Sequence, residues 1–205
     1  MHLPRTWSDI TIGQYLDISD IILNEKDAFE REIKLISYFR GHSQEQAGQR
    51  LMIDILNDAK KLNFLGEMPK GTIRFYHHIK FKKFKVTILP TELTAAQLID
   101  CTTILRGLTE KDYIRQLHYL MGLILVPAKH GIFLNGKVTF TEYEYKGYKE
   151  TGEWLKNNMS FKDAYPYFVF FCKLLPKSQE ATLNYLEQEK RKILKMILRP
   201  SNGKS

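Results

Sequence analysis

Cysteine occurs only twice in the 205 residues, at Cys101 and Cys172. Both lie among apolar neighbours, as in Phe170-Phe171-Cys172-Lys173-Leu174, the setting of a buried, reduced thiol. They are too far apart in sequence to form a zinc-type Cys/His cluster. Long hydrophobic runs are also missing. The longest, near residues 120–127 and 168–175, fall well short of the ~20 apolar residues of a membrane helix, so no membrane span is expected. Met1-His2-Leu3-Pro4-Arg5 opens no apolar signal segment. A soluble protein of the reducing cytoplasm is therefore expected, unless a particle carries it out. No Gly-x-Ser-x-Gly elbow occurs. Asn202-Gly203-Lys204-Ser205 shares the ending of a phosphate loop but has no helix after it to cradle a phosphate. His77-His78 is the sole adjacent histidine pair. Successive strand residues point to opposite faces, so an undistorted strand cannot offer both to one metal. His118 falls in an apolar helical stretch and reads as a hydrogen-bonded core or interface residue. No catalytic residue, metal ligand set or cofactor is assigned, and a protein that is not an enzyme is expected.

What is present is a folded, basic chain. Hydrophobic residues make up 43% and aromatics 12%, enough for a sizeable core. The formal net charge of +8 is unevenly spread. Residues 1–72 carry nine Lys/Arg and eleven Asp/Glu, whereas residues 73–205 carry 22 and 12. Such a basic majority suits nucleic acid, an anionic surface or an acidic partner subunit, or else forms a solvated lysine-rich face.

One helix start is written twice. Ile10-Thr11-Ile12-Gly13-Gln14-Tyr15-Leu16-Asp17 and Leu93-Thr94-Ala95-Ala96-Gln97-Leu98-Ile99-Asp100 both place threonine three residues ahead of glutamine. That is the capping-box spacing, in which each side chain satisfies a backbone amide of the other residue. Glu25-Lys26-Asp27 is echoed by Glu110-Lys111-Asp112. The offsets, 83 and 85 residues, nearly keep register and point to a duplicated helical unit.

The N-terminal part reads as helices over 11–22 and 27–39, with Gly41 as a stop. A third begins at Ser43, with Leu51, Ile55, Leu56 and Leu62 on its buried side. Gly66, Pro69 and Gly71 form a linker. Residues 72–90 switch to alternation: Ile73, Phe75, His77, Ile79 and Phe81, then, after a slip at Lys82-Lys83, Phe84, Val86 and Ile88. A hairpin there is favoured over a bulge because its two strands would match in length. A long apolar helix should run from 109 or 112 to Val126, stopped by Pro127. A second hairpin is possible around Asn135-Gly136. Residues 141–159 carry no readable period. Ser160 with Asp163 should cap a helix over 161–175. A last helix over 178–198, acidic at its start and basic at its end, matches the macrodipole. The expected fold is mainly α with small antiparallel β hairpins (α+β), a duplicated helical unit with a central β-hairpin. Its expected divisions are residues 1–71, 72–92 and 93–205.

Two groups of residues are candidates for binding. Arg74, Lys80, Lys82, Lys83 and Lys85 are interleaved with aromatics, a pattern that can grip a phosphate backbone and stack bases, or that simply makes a lysine-rich outer sheet face. The aromatics Tyr143, Tyr145, Tyr148, Trp154, Tyr167, Phe170 and Phe171 exceed what one helix face can bury. They belong to a central core or to a protein interface.

Taken together, Trp7 with residues 10–15, the helix end Phe39-Arg40-Gly41-His42-Ser43-Gln44-Glu45, Asn63-Phe64-Leu65, the central hairpin, residues 93–100, and Phe161-Asp163-Ala164 resemble tailed-phage morphogenesis proteins of roughly this length, including those of crAss-like phages. The resemblance implies a non-enzymatic tail or neck assembly protein and brings no catalytic residue with it. It implies a virion ring or connector subunit, a homo-oligomer in contact with other phage structural proteins. A tail-assembly chaperone absent from the mature particle is the alternative, located in the host cytoplasm during assembly. A basic nucleic-acid-binding accessory protein is a third. Residues 131–159 match none of these patterns.

Overall fold

The computed structural model describes residues 2–87, 94–105, 108, 110–128 and 147–172. The chain divides into two compact units, residues 1–168 and 169–205. The account below concerns the first; the described part of the second, residues 169–172, is helical. The expected second hairpin and the expected helix over 178–198 lie outside the described residues.

The fold is mainly helical, with a small three-stranded antiparallel sheet. Thr6 and Asp9 form a capping box around the 3-10 turn Trp7–Asp9. Thr11 and Gln14 form the next, opening α1 (Ile12–Asn24). Asp27 caps α2 (Ala28–Arg40), which ends on Gly41 at φ +70°, the left-handed conformation that glycine adopts without a Cβ clash. Ser43 and Gln46 box the start of α3 (Gln44–Gly48). Chain direction then changes, and α4 (Met52–Leu62) begins afresh. The single helix expected from Ser43 is thus two. The new axis buries Ile55, Asp58, Ala59 and Leu62 and leaves Leu51 and Leu56 exposed, contrary to the sequence reading.

Strand β1 (Tyr76–Ile79) pairs with β2 (Lys82–Val86), and β2 with β3 (Leu125–Pro127), in the order β1-β2-β3. The hairpin forms as expected, but its turn is Lys80-Phe81, since Ile79 pairs with Lys82. Lys80 supplies the positive φ, 51°, that a tight turn demands. Thr94 and Gln97 form the echoed box: Gln97 N donates to Thr94 Oγ1 at 3.2 Å and Thr94 N to Gln97 Oε1 at 2.9 Å. It opens α5 (Ala95–Leu105). The apolar stretch after residue 109 is α6 (Glu110–Tyr113), a 3-10 turn, then α7 (Leu117–Ile124). It stops two residues short of Val126 because Leu125–Pro127 joins the sheet, with Val86 and Leu125 paired on the buried face. Helix α8 (Gly147–Asn158) lies within the stretch without a readable period. Ser160 and Asp163 then cap α9, which starts at residue 161.

The core joins distant stretches of chain. Ile12 N donates to Met159 O at 3.1 Å and Phe161 N to Ile10 O at 2.7 Å, on either side of a bridge between Thr11 and Ser160. Beneath it Tyr15 and Phe161 stack at 3.7 Å, and Trp7 packs against both rings and against Phe64. The Trp7 indole N–H donates to Glu67 O at 2.8 Å, which ties the linker down. Asp58, only 3% exposed, accepts hydrogen bonds from Arg40, Arg50 and Lys61 and so fastens α2 and the α3–α4 corner together. Cys101 is buried, and burial pushes its thiol up to about 12. No helix among the described residues is long and apolar enough to cross a membrane.

Candidate functional site

Alternation sorts the hairpin into two faces. His77, Ile79, Phe84 and Val86 are buried, whereas Tyr76, His78 and Lys83 are exposed and Lys85 is half-buried. The two adjacent histidines do fall on opposite sides. Residues 70–87 hold six cations and no carboxylate, so the exposed face is uniformly positive. Arg74, Lys80 and Lys82 are exposed as well. Phe81, at the tip, is 96% exposed, and Phe75 and Tyr76 are each 60% exposed.

Two side chains hold this hairpin against the helices. Lys82 lays its ammonium 4.5 Å from the Trp154 ring centroid, a cation–π contact with α8. Trp154 also meets Phe84 at 5.7 Å. From α9, the fully buried Tyr167 hydroxyl donates to Arg74 O at 2.7 Å and accepts from Arg74 N at 3.0 Å. Its single proton is thereby used, so His77 Nε2, 2.7 Å away, must be the donor of the third bond. Burial lowers the His77 pKa and raises that of Tyr167, consistent with a neutral pair. Tyr167→Phe leaves Arg74 O, Arg74 N and the buried imidazole N–H without that partner. Unfolding in urea is expected to show a loss of about 2 kcal/mol, with the fold retained by circular dichroism.

Of the aromatics singled out in the sequence, Tyr167 is sealed inside this chain, Tyr148 and Trp154 lie half-buried on α8, Phe171 is buried and Phe170 half-buried. Tyr143 and Tyr145 lie outside the described residues. The two candidate groups meet at two points: Lys82 on Trp154, and Arg74 on Tyr167. His118 is buried on α7, with Nε2 3.4 Å from Glu153 Oε1. Burial lowers its pKa despite that carboxylate. Glu153 also accepts from the Tyr119 hydroxyl at 2.7 Å, so these polar groups tie α7 to α8.

A further surface went unnoticed in the sequence. Leu51, Met52, Ile53 and Leu56 are 70%, 55%, 59% and 44% exposed at the start of α4. Met52 and Leu56 are one helical turn apart, and Ile53 lies three residues before Leu56, so the side chains share one side of the helix. No clear signal of it stands in the sequence, because Met52 lies three residues before Ile55 and so reads as part of the stripe Ile55-Ala59-Leu62. Among the described residues, no three His, Cys, Asp or Glu side chains gather in a way that could hold a metal ion. Comparison with protein-family models, curated proteins and solved structures found no match to this chain.

Proposed function

We propose that this chain is a non-enzymatic assembly protein of a tailed phage, a ring or connector subunit of the tail or neck that works through protein–protein contacts with other structural proteins and with copies of itself. The observation that carries this reading is the exposed apolar turn of α4, where Leu51, Met52, Ile53 and Leu56 stand at the surface of an ordered helix. Grouped large apolar side chains on an ordered surface are what protein interfaces use. The family resemblance of the sequence points the same way. Mass spectrometry of purified particles is the test. The chain in stoichiometric amount is the expected result. Its absence from particles, with a tail protein that stays soluble only in its company, assigns the chaperone role instead. Absence from particles, with no tail protein that depends on the chain for its solubility, overturns the assembly reading.

The positive hairpin favours a second reading, a nucleic-acid-binding accessory protein. Under it, affinity for duplex DNA falls steeply with salt. Lys82→Ala with Lys83→Ala should then reduce the slope of log affinity against log salt by about 2. A chain that retains no DNA at low salt removes this reading.

A further inference from the structure

The N-terminal segment, α1, the end of α2 and the end of α4 border a cleft of ≈ 870 Å³. Arg5, Arg40 and Lys61 line it together with Leu3, Tyr38 and Phe39. Its charge is lopsided. Arg40, Arg50 and Lys61 all share the one Asp58 carboxylate, at 2.8–3.0 Å. Three cations against one anion leave an excess of two positive charges in that cluster. Arg5 adds another at the rim. The carboxylate of Asp9 also borders the cleft, but it already accepts from Arg5 N, Thr6 N and the Thr6 hydroxyl. Asp17, beside Tyr38, is engaged by the Tyr38 hydroxyl at 2.7 Å. One donor in the cluster is left over: Arg40 Nε is enclosed and has no hydrogen-bond acceptor. That N–H is shut off from solvent and cannot itself bond a ligand in the cleft, but the side chain it belongs to is 30% exposed and its guanidinium shares the uncompensated charge.

We infer that this cleft receives an acidic segment of a partner polypeptide, one of whose carboxylates pairs with the uncompensated charge of the Arg40–Lys61 cluster. The cleft is far larger than a single phosphate needs. Its lining mixes cations with apolar side chains, which suits a peptide with carboxylates and aliphatic carbons better than an inorganic ion. The inference deepens the assembly reading by naming the chemistry of one partner. It is independent of the hairpin, whose lysines lie on another part of the chain.

The probes are a capped hexaglutamate peptide, its neutral hexaglutamine counterpart and inorganic pyrophosphate. The full chain carries Lys82→Ala and Lys83→Ala so that the hairpin does not compete. The readout is the Arg40 Nε–H signal in an arginine-selective NMR spectrum, identified by its loss in Arg40→Lys. Hexaglutamate should shift that signal saturably and hexaglutamine should not. Arg5→Ala with Lys61→Ala should weaken the peptide at least tenfold while circular dichroism stays unchanged. An Arg40 signal that never moves, or a double variant that binds as before, overturns the inference. Pyrophosphate binding more tightly than the peptide, with the same sensitivity to the variants, overturns it in favour of a phosphate ligand. A shifted Arg40 signal stands even if particles lack the chain and no tail protein depends on it, so failure of the assembly reading is distinguishable.

Discussion

Gly122→Ala should unfold or severely destabilise this protein. Helices α7 and α8 cross with Gly122 and Gly152 at the point of contact. A Cβ on Gly122 would overlap the Tyr148 carbonyl oxygen and stand 2.9 Å from Gly152 N. Those are backbone atoms of the neighbouring helix, which cannot rotate away as a side-chain tip can. The helices would have to move apart, and the contacts of the fully buried Leu117, Leu120, Met121 and Leu155 would loosen with them. Overpacking ordinarily costs about 1–3 kcal/mol, and against immovable backbone the upper end or beyond is expected. Gly152→Ala meets the same obstacle from the other side, with His118 O at 2.8 Å. Chemical denaturation of the two variants should show lower midpoints for both. Since alanine is the better helix former by about 1 kcal/mol, a neutral or stabilising result for Gly122→Ala would mean that the helices do not approach so closely.

Asp58→Asn should be nearly as damaging, by an electrostatic route. The substitution keeps shape and removes charge, which leaves Arg40, Arg50 and Lys61 crowded around a neutral amide. Breaking a buried ion pair from one side costs about 3–5 kcal/mol. Because the three cations are partly solvated, about 3 kcal/mol is the expected loss. The same group makes stability depend on acid. Burial alone would raise the Asp58 pKa, but the hydrogen bonds from Arg50, Arg40 and Lys61 outweigh it and hold the carboxyl down at about 2. A carboxyl depressed in the folded state contributes stability that is fully present above its unfolded pKa of about 4. That contribution fades as pH falls towards the folded value. The unfolding free energy of the natural chain in urea should therefore drop between about pH 4 and pH 2, and that of Asp58→Asn should drop by roughly 2 kcal/mol less.

Capping chemistry made much of the helical framework readable. Thr11 with Gln14, Thr94 with Gln97, and Ser160 with Asp163 all form the bonds their spacing implies, because a cap is a local contact that needs no knowledge of the rest of the fold. Elements decided by distant partners were harder to read. Leu125–Pro127 looks like the end of an apolar helix and becomes a strand because Lys85 and Val86 lie beside it. Helix α8 has little apolar periodicity, since its contact with α7 is made by Gly152, a residue that reads as a breaker. The hairpin was legible from alternation, but its turn was displaced by two residues: nothing about Lys80 announces a positive φ. As for the candidate surfaces, the lysines could be read directly from the sequence. The anchoring of Arg74 by Tyr167, 93 positions away, could not, nor could the exposure of the α4 turn, which depends on where the chain bends after Gly48.

The bridge between Thr11 and Ser160 bears on biosynthesis. Ile12 and Met159 are 147 positions apart, yet their backbones are bonded. As the chain leaves the ribosome, Trp7, Ile10 and Tyr15 emerge first but cannot find Phe161 until nearly the whole first unit has been translated. Late closure of so long a loop is slow, and in the meantime those rings are open to chance encounters. Truncated chains released from the ribosome and ending before residue 159 should therefore remain bound to a holdase chaperone, whereas chains extending past residue 168 should be released from it.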